Sequence, residues 1–338
     1  MTYSEVLDNA KNNMGGFCLA CNDCNGLACK NKIPGPGAKG SGEVFYRNRK
    51  AFKDIKINMN TIYEDAPVDT GTELFGRHFD YPVFAAPIGA MKLHYGSLHD
   101  DITYNAELVP GCKNAGIAAF TGDGVNPQVY TGPLEFIKAV GGTGVPTIKP
   151  WDVSVMKSKI KAAEAAGAMA VATDIDACGL ALLKGIATPV SSKTVLQLKE
   201  IISSSKLPVI IKGIMTVKGA EDALTAGAYG IVVSNHGGRV LDDTPATAEV
   251  LPEIAAAVGG RIKIFVDGGI RTGLDVFKAL ALGADAVLIG RPFVTAVYGG
   301  AALGAEIYAR KVGTELAETM AMAGAVKISD INSSMVRI

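Results

Sequence analysis

The chain has 338 residues, 48% of them hydrophobic, with 33 basic side chains against 33 acidic ones. That suffices for a large buried core in roughly one to three domains, and it leaves no basic surplus to neutralise nucleic-acid phosphates. No apolar run approaches the roughly 20 residues that span a bilayer, and the opening MTYSEVLDNAKNNM lacks the apolar core of a signal peptide, so a cytoplasmic protein without nucleic-acid or membrane partners is expected.

Residues 1–42 are rich in Cys, Asn and Gly and show no helical or strand period, which predicts an irregular N-terminal segment. Within it Cys18, Cys21, Cys24 and Cys29 form C-x2-C-x2-C-x4-C. Thiolates so spaced can hold an iron–sulfur cluster or zinc; a redox-labile disulfide set and plain free thiols are the other readings. GPGAKGSG has neither a preceding strand nor a GK[ST] ending, so it reads as a loop and not as a phosphate cradle. From Pro82 onward eight short apolar runs recur: VFAAPIG, GIAAFTG, GVPTIKP, MAVATDID, LPVIIKG, GIVVSNHG, KIFVDGG and AVLIGRP. Continuous apolar runs are the mark of strands buried on both faces, and most gaps between them carry a helical pattern such as SVMKSKIKAAEAAG. Eight β–α units in succession predict a (β/α)8 TIM barrel over residues 43–338, with an open doubly wound sheet as the competitor.

In such a barrel the C-terminal strand ends converge on one mouth. Lys149 ends the third run, Asp176 the fourth, Lys212 the fifth, His236 the sixth, Asp267 the seventh and Arg291 the eighth. DGGIRTG and IGRPF, after runs seven and eight, combine glycines, helix starts and the cations Arg271 and Arg291, a pattern suited to a phosphate. Lys212 follows an apolar strand, where it can act as a Schiff-base nucleophile, a fixed positive charge or half of a salt bridge. His236 stands in SNHGGR, three residues before Arg239, and Asp176 is placed to hold its imidazole in one tautomer. Cys178, two residues on, reads as a buried thiol.

SNHGGRVLDDTPAT, together with VDGGIRTGLDVFKALALGADAVLIGRP, resembles the FMN-dependent α-hydroxy-acid oxidising enzymes of the glycolate oxidase and lactate oxidase group. The resemblance runs from about Gly42 to the C-terminus and is strongest after Leu207. It implies FMN across the barrel mouth, its phosphate held around Gly269, Arg271, Gly290 and Arg291 and its ribityl chain near Asp267. Pro87, Ile88, Gly89 and Thr121 would flank the ring, with Ser234 also on the cofactor side. Lys212 would support negative charge on the reduced flavin, His236 would be the base and Asp176 its partner, and Arg239 would clamp the carboxylate of a small 2-hydroxy acid. A homo-oligomer, tetrameric or octameric, is implied as well.

The chain departs from that pattern at the substrate side. The tyrosine usual after strand three is replaced within TIKPWD, which puts Lys149 or Trp151 there, and the N-terminal tyrosine has no counterpart. The second carboxylate-binding arginine after strand four is missing, with Lys184 the nearest cation, and the insertion that follows is shortened to GIATPVSSKT. Two rivals therefore stand beside the oxidoreductase: a Schiff-base lyase on a phosphorylated sugar using Lys212, and a flavin-binding protein without catalysis.

Overall fold

Phe84, Phe120 and Phe265 meet edge to face, with ring centroids 5.9–6.2 Å apart, on the axis of a closed barrel of eight parallel strands. The strands are β1 (Val83–Ala85), β2 (Ala118–Thr121), β3 (Gly144–Ile148), β4 (Val171–Asp174), β5 (Val209–Ile214), β6 (Gly230–Val233), β7 (Lys263–Val266) and β8 (Ala286–Ile289). Each pairs with its chain neighbour, and β8 returns to β1 through Val287 and Val83. This computed structural model describes residues 1–29, 39–64, 66–180, 183, 185–186 and 189–338.

The apolar runs are continuous because each strand faces two cores. Phe84, Phe120, Val145, Ala172, Ile210, Val232, Phe265 and Leu288 point inward. Val83, Ala119, Val171, Ile211, Val233, Val266 and Ile289 point outward, under the helices. Thr216 and Thr272 start the helices after β5 and β7, accepting hydrogen bonds from the N–H groups of Gly219 and Asp275.

Two devices close the ends. The strands Thr72–Leu74 and Arg77–Phe79 form a hairpin over the N-terminal end of the barrel, turned by Phe75 and Gly76, both at positive φ. Phe75 holds a conformation that disfavours a Cβ, and its ring is thereby stacked on Phe265 at 6.0 Å. At the other end α2 (Glu43–Asp54) lies across the loops after β6 and β7, burying Val44, Phe45, Asn48, Arg49 and Phe52 along one face. The barrel wall itself begins at Val83.

The N-terminal segment corrects the sequence reading. Tyr3–Asn13 is a helix, α1, opened by a capping box between Thr2 and Glu5. It packs Val6, Leu7 and Ala10 against the C-terminal helix Arg291–Ala323. That long helix breaks its geometry at Gly300 and Ala301. Asn9 and Asn13 donate to the carbonyls of Gly299 and Tyr298 beside the break, at 3.2 and 2.7 Å. A Cβ at Gly299 would come within 1.9 Å of the Val6 carbonyl oxygen, so the glycine is what lets the helices touch. The asparagines that make this stretch look like loop are spent on tertiary contacts.

Candidate active site

A cavity of about 580 Å³ opens at the C-terminal end of the barrel. Inward alternation along each strand brings Lys149, Lys212, His236 and Asp267 to its wall, and the following loops add Arg239, Arg271 and Arg291. Pro87, Ile88, Gly89, Gly269 and Gly290 line it as well. Thr121 does not: Ala118 and Phe120 take the inward positions of β2, so the next inward residue is Gly122, which does line the cavity. Trp151 is turned away, its indole N–H donating to Asp123 at 2.6 Å, which leaves Lys149 at the wall. Lys184 lies outside the described residues.

His236 adopts a left-handed backbone, φ 55°, followed by Gly237 and Gly238 at 62° and 78°. A β-carbon in that region costs of order 1–2 kcal/mol, which the surrounding contacts must supply. The His236 amide donates to Ser234 Oγ at 3.1 Å, and Nδ1 lies 3.1 Å from both oxygens of Asp176. Asp176 has room because Gly213 is a glycine, where a Cβ would sit 2.5 Å from the Asp176 Cγ. Burial works against charge on Asp176, yet His236, Lys212 and Lys149 together hold its carboxyl down at about 2. The carboxylate is thus ionised and fixes which ring nitrogen of His236 faces the cavity.

Lys212 is buried, donates to Ser234 Oγ at 2.9 Å and lies 3.4 Å from Asp267 Oδ2. Burial disfavours its ammonium, but Asp267, Asp176 and Asp174 outweigh that and raise its pKa. On the loops after β7 and β8 Arg271 donates from Nε to the Cys24 carbonyl at 2.9 Å, and Arg291 stacks 4.0 Å from the centre of the Phe45 ring. Burial, then Arg239 and Arg271, push Arg291 down to about 10. Repulsion among the three cations contributes to that shift. Burial and the same arginines, Arg239 and Arg291, hold the cavity-lining His94 near 4, so it stays neutral.

The glycines of this end serve the protein before any ligand. A Cβ on Gly269 would lie 2.2 Å from the Asn48 carbonyl oxygen, so its absence admits α2. Arg49 then reaches the Gly269 carbonyl at 3.1 Å, Asp275 at 2.8 Å and Asp23 at 2.9 Å. Asn48 and Asn235 exchange two amide hydrogen bonds, 2.8 and 2.9 Å, tying α2 to the residue before His236. The cysteine-rich stretch follows on: Gly26 presses on Phe45 so closely that a Cβ would come within 2.3 Å of the ring. A single zinc with four thiolates needs sulfurs roughly 4 Å apart. Among the described residues the one group of metal-ligating atoms that all lie within 4.8 Å of each other is Asp174, Asp176 and His236, not the cysteines.

Sequence reasoning missed Asp174, Thr147, Asp123, Phe45 and Asn48, all of which line the cavity. Asp174 and Thr147 were findable by parity, each two residues before a site residue that the strand ends had indicated. Phe45 and Asn48 left no such signal, since they arrive from α2.

Buried oxygens of Thr147, Asp174 and Asp267 face this cavity without a hydrogen-bond partner, and Arg271 and Arg291 add cationic groups to its wall. A phosphorylated, polar-ringed cofactor suits both features. The family model described as FMN-dependent dehydrogenase matches residues 36–183 and 182–338. The chain belongs to the FMN-dependent dehydrogenase family. This FMN-dependent dehydrogenase is 32% identical over 336 residues to a 2-hydroxyacid oxidase of Dictyostelium discoideum, covering 88% of this chain and 84% of that one. It is 31% identical over 327 residues to the peroxisomal (S)-2-hydroxyacid oxidase GLO3 of Arabidopsis thaliana, with 86% and 87% covered. A solved mandelate oxidase structure with 2-hydroxy-phenylacetamide superposes with a TM-score of 0.80 at 28% identity, over 99% of this chain and 97% of that one. The chain is thus a flavoprotein oxidoreductase on a TIM barrel, as its sequence implied.

Proposed function

We propose that this enzyme oxidises a small 2-hydroxy acid to the 2-oxo acid, with His236 as base. The observation that carries the reading is His236 held by Asp176 at 3.1 Å on the wall that Arg239 and Lys212 share. Bound FMN supplies the chemistry of accepting two electrons. Arg271 and Arg291, with the backbone at Gly269 and Gly290, would hold its phosphate, Asp267 its ribityl chain, and Pro87, Ile88 and Gly89 its ring side, while the fully buried Ser234 stands off the cavity wall and positions Lys212 and His236. Lys212 offers the buried positive charge that favours the reduced cofactor. Arg239 pairs its planar guanidinium with the substrate carboxylate and so fixes the hydroxyl-bearing carbon toward His236. His236 takes a proton as that carbon is oxidised, and Asp176 stabilises the resulting imidazolium.

The lyase reading is disfavoured by charge. A Schiff-base lysine needs a lowered pKa, whereas Lys212 is held protonated by three carboxylates. Retention of His236, Lys212 and Arg239 on one cavity wall, with Asp176 behind His236, favours catalysis over mere flavin binding. No described helix is long and apolar enough to cross a membrane; a cytoplasmic homo-oligomer goes with the proposal. The decisive experiment is an anaerobic panel of 2-hydroxy acids, watched for bleaching of the flavin. At least one should bleach it in the parent protein, and His236→Ala should retain FMN yet lose that bleaching by at least 10²–10⁴-fold. A panel that never bleaches the flavin would sink the reading.

A further inference from the structure

Lys149 and Asp174 form an ion pair inside the barrel mouth that the reaction as described does not use. Lys149 Nζ donates to Asp174 Oδ2 at 2.5 Å, and the two side chains are 14% and 4% exposed. Both line the cavity. Asp174 ends β4 and is the direct register partner of Lys212 on β5, so the two inward side chains stand side by side. The other oxygen of Asp174, Oδ1, is buried and has no partner. A carboxylate oxygen of Asp174 also lies within 4.8 Å of ligand atoms of Asp176 and His236.

The charges can be added. Lys212 faces Asp267, Asp174 and Asp176, three carboxylates against one ammonium. Lys149 is the cation that offsets Asp174. Leaving His236 aside, these five groups sum to minus one, and without Lys149 to minus two. In a buried site at low effective dielectric, a unit charge a few ångströms away is felt strongly. Two-electron reduction of a flavin builds negative charge on its ring, so the electron affinity of the cofactor must follow this local sum.

We infer that the Lys149–Asp174 pair is a charge-balancing unit that sets the electron affinity of the bound flavin by tempering Lys212. The inference rests on the reading that Lys212 supports the reduced flavin. Both members are positioning residues: Asp174 draws on the field of Lys212, and Lys149 limits how far it does so. The two therefore act with opposite sign. Loss of Asp174 leaves Lys149 as a second uncompensated cation and raises the flavin potential. Loss of Lys149 leaves Asp174 unbalanced and lowers it. Loss of both restores something near the parent value. A merely structural pair would not give opposite signs.

The test is the FMN midpoint potential of the holoenzyme, measured by dye-coupled titration, in Asp174→Asn, Lys149→Met, the double variant and Lys212→Met. Each single change should alter the reduction equilibrium about tenfold or more, which for a two-electron couple is a shift of about 30 mV, upward for D174N and downward for K149M. Lys149→Gln and Asp174→Ser serve where the first variants do not hold FMN. Shifts in the same direction, or none, with K212M still lowering the potential, would overturn the inference and leave the role of Lys212 standing. An unchanged potential in K212M would overturn that role and the inference with it.

Discussion

Arg239 shares the cavity wall with His236 and Asp176 holds its Nδ1, and each gives a measurable handle on a single residue. Arg239→Lys keeps the positive charge and loses the planar two-pronged fit to a carboxylate. Titration of the flavin spectrum with oxalate should show affinity weakened by about tenfold or more, since the second arginine usual in the family is absent from this sequence. Equal affinities in parent and variant would assign the carboxylate to another cation, Lys149 first. Asp176 gives a pH signature. Its carboxyl sits at about 2 against an ordinary 3.8, so the folded protein binds that proton more weakly than the unfolded chain. A depressed carboxyl contributes stability that is complete above the unfolded value and fades as pH falls through the folded one. The window is therefore pH 4 to 2, and the contribution about 2 kcal/mol. Asp176→Asn should flatten the melting temperature across that window relative to the parent, in parallel melts taken at stepped pH.

Elements, more than residues, decide how much of this site the sequence discloses. The barrel strands were legible because burial on both faces leaves an unbroken apolar run, and strand parity alone then aims Lys212 and Asp267 at one mouth. Helix α1 was not legible, since Asn9, Asn12 and Asn13 dilute its apolar face and two of them serve the break in the C-terminal helix. Nor was α2: Phe45, Asn48 and Arg49 act on Arg291, Asn235 and Asp275, partners nearly 200 residues away or more that no local pattern announces. The bulge between Lys212 and Ile214 belongs here too, because it sets Gly213 at φ 99° beside Asp176. Gly213→Ala meets both that backbone and a 2.5 Å clash with the Asp176 carboxyl. It should cost at least 1 kcal/mol in thermal stability and slow flavin reduction, with FMN retained. Full-rate reduction in this variant would show that Asp176 need not be placed so closely. Removing the buried Arg49 guanidinium, as Arg49→Met, leaves Asp275 without its buried cation and should cost about 3–5 kcal/mol. Calorimetry and FMN loss on dialysis report the two consequences together.

At the scale of the whole molecule the barrel is closed at one end by the Phe75 hairpin and roofed at the other by α2, with the cofactor end between roof and mouth. The arginines at that end repel one another, and on the proposed assignment a bound phosphate would offset that repulsion. The purified protein should be yellow, with one FMN per chain, and stripping the flavin should lower the melting temperature. Restoring FMN to a hundred times its dissociation constant should return about 2.7 kcal/mol. A melting temperature indifferent to FMN would mean that the arginines are satisfied without it.

The roof also imposes an order of events on synthesis. Asp23, Cys24, Phe45 and Arg49 leave the ribosome early, whereas Gly269, Arg271, Asp275 and Arg291 leave it late, and the proposed phosphate end forms only where these two sets meet. On the proposed assignment, a nascent chain stalled after Arg239 has Lys212 and His236 but not the loops of Arg271 and Arg291. Flavin capture should therefore follow synthesis, and fragments truncated at either terminus should emerge from the cell colourless.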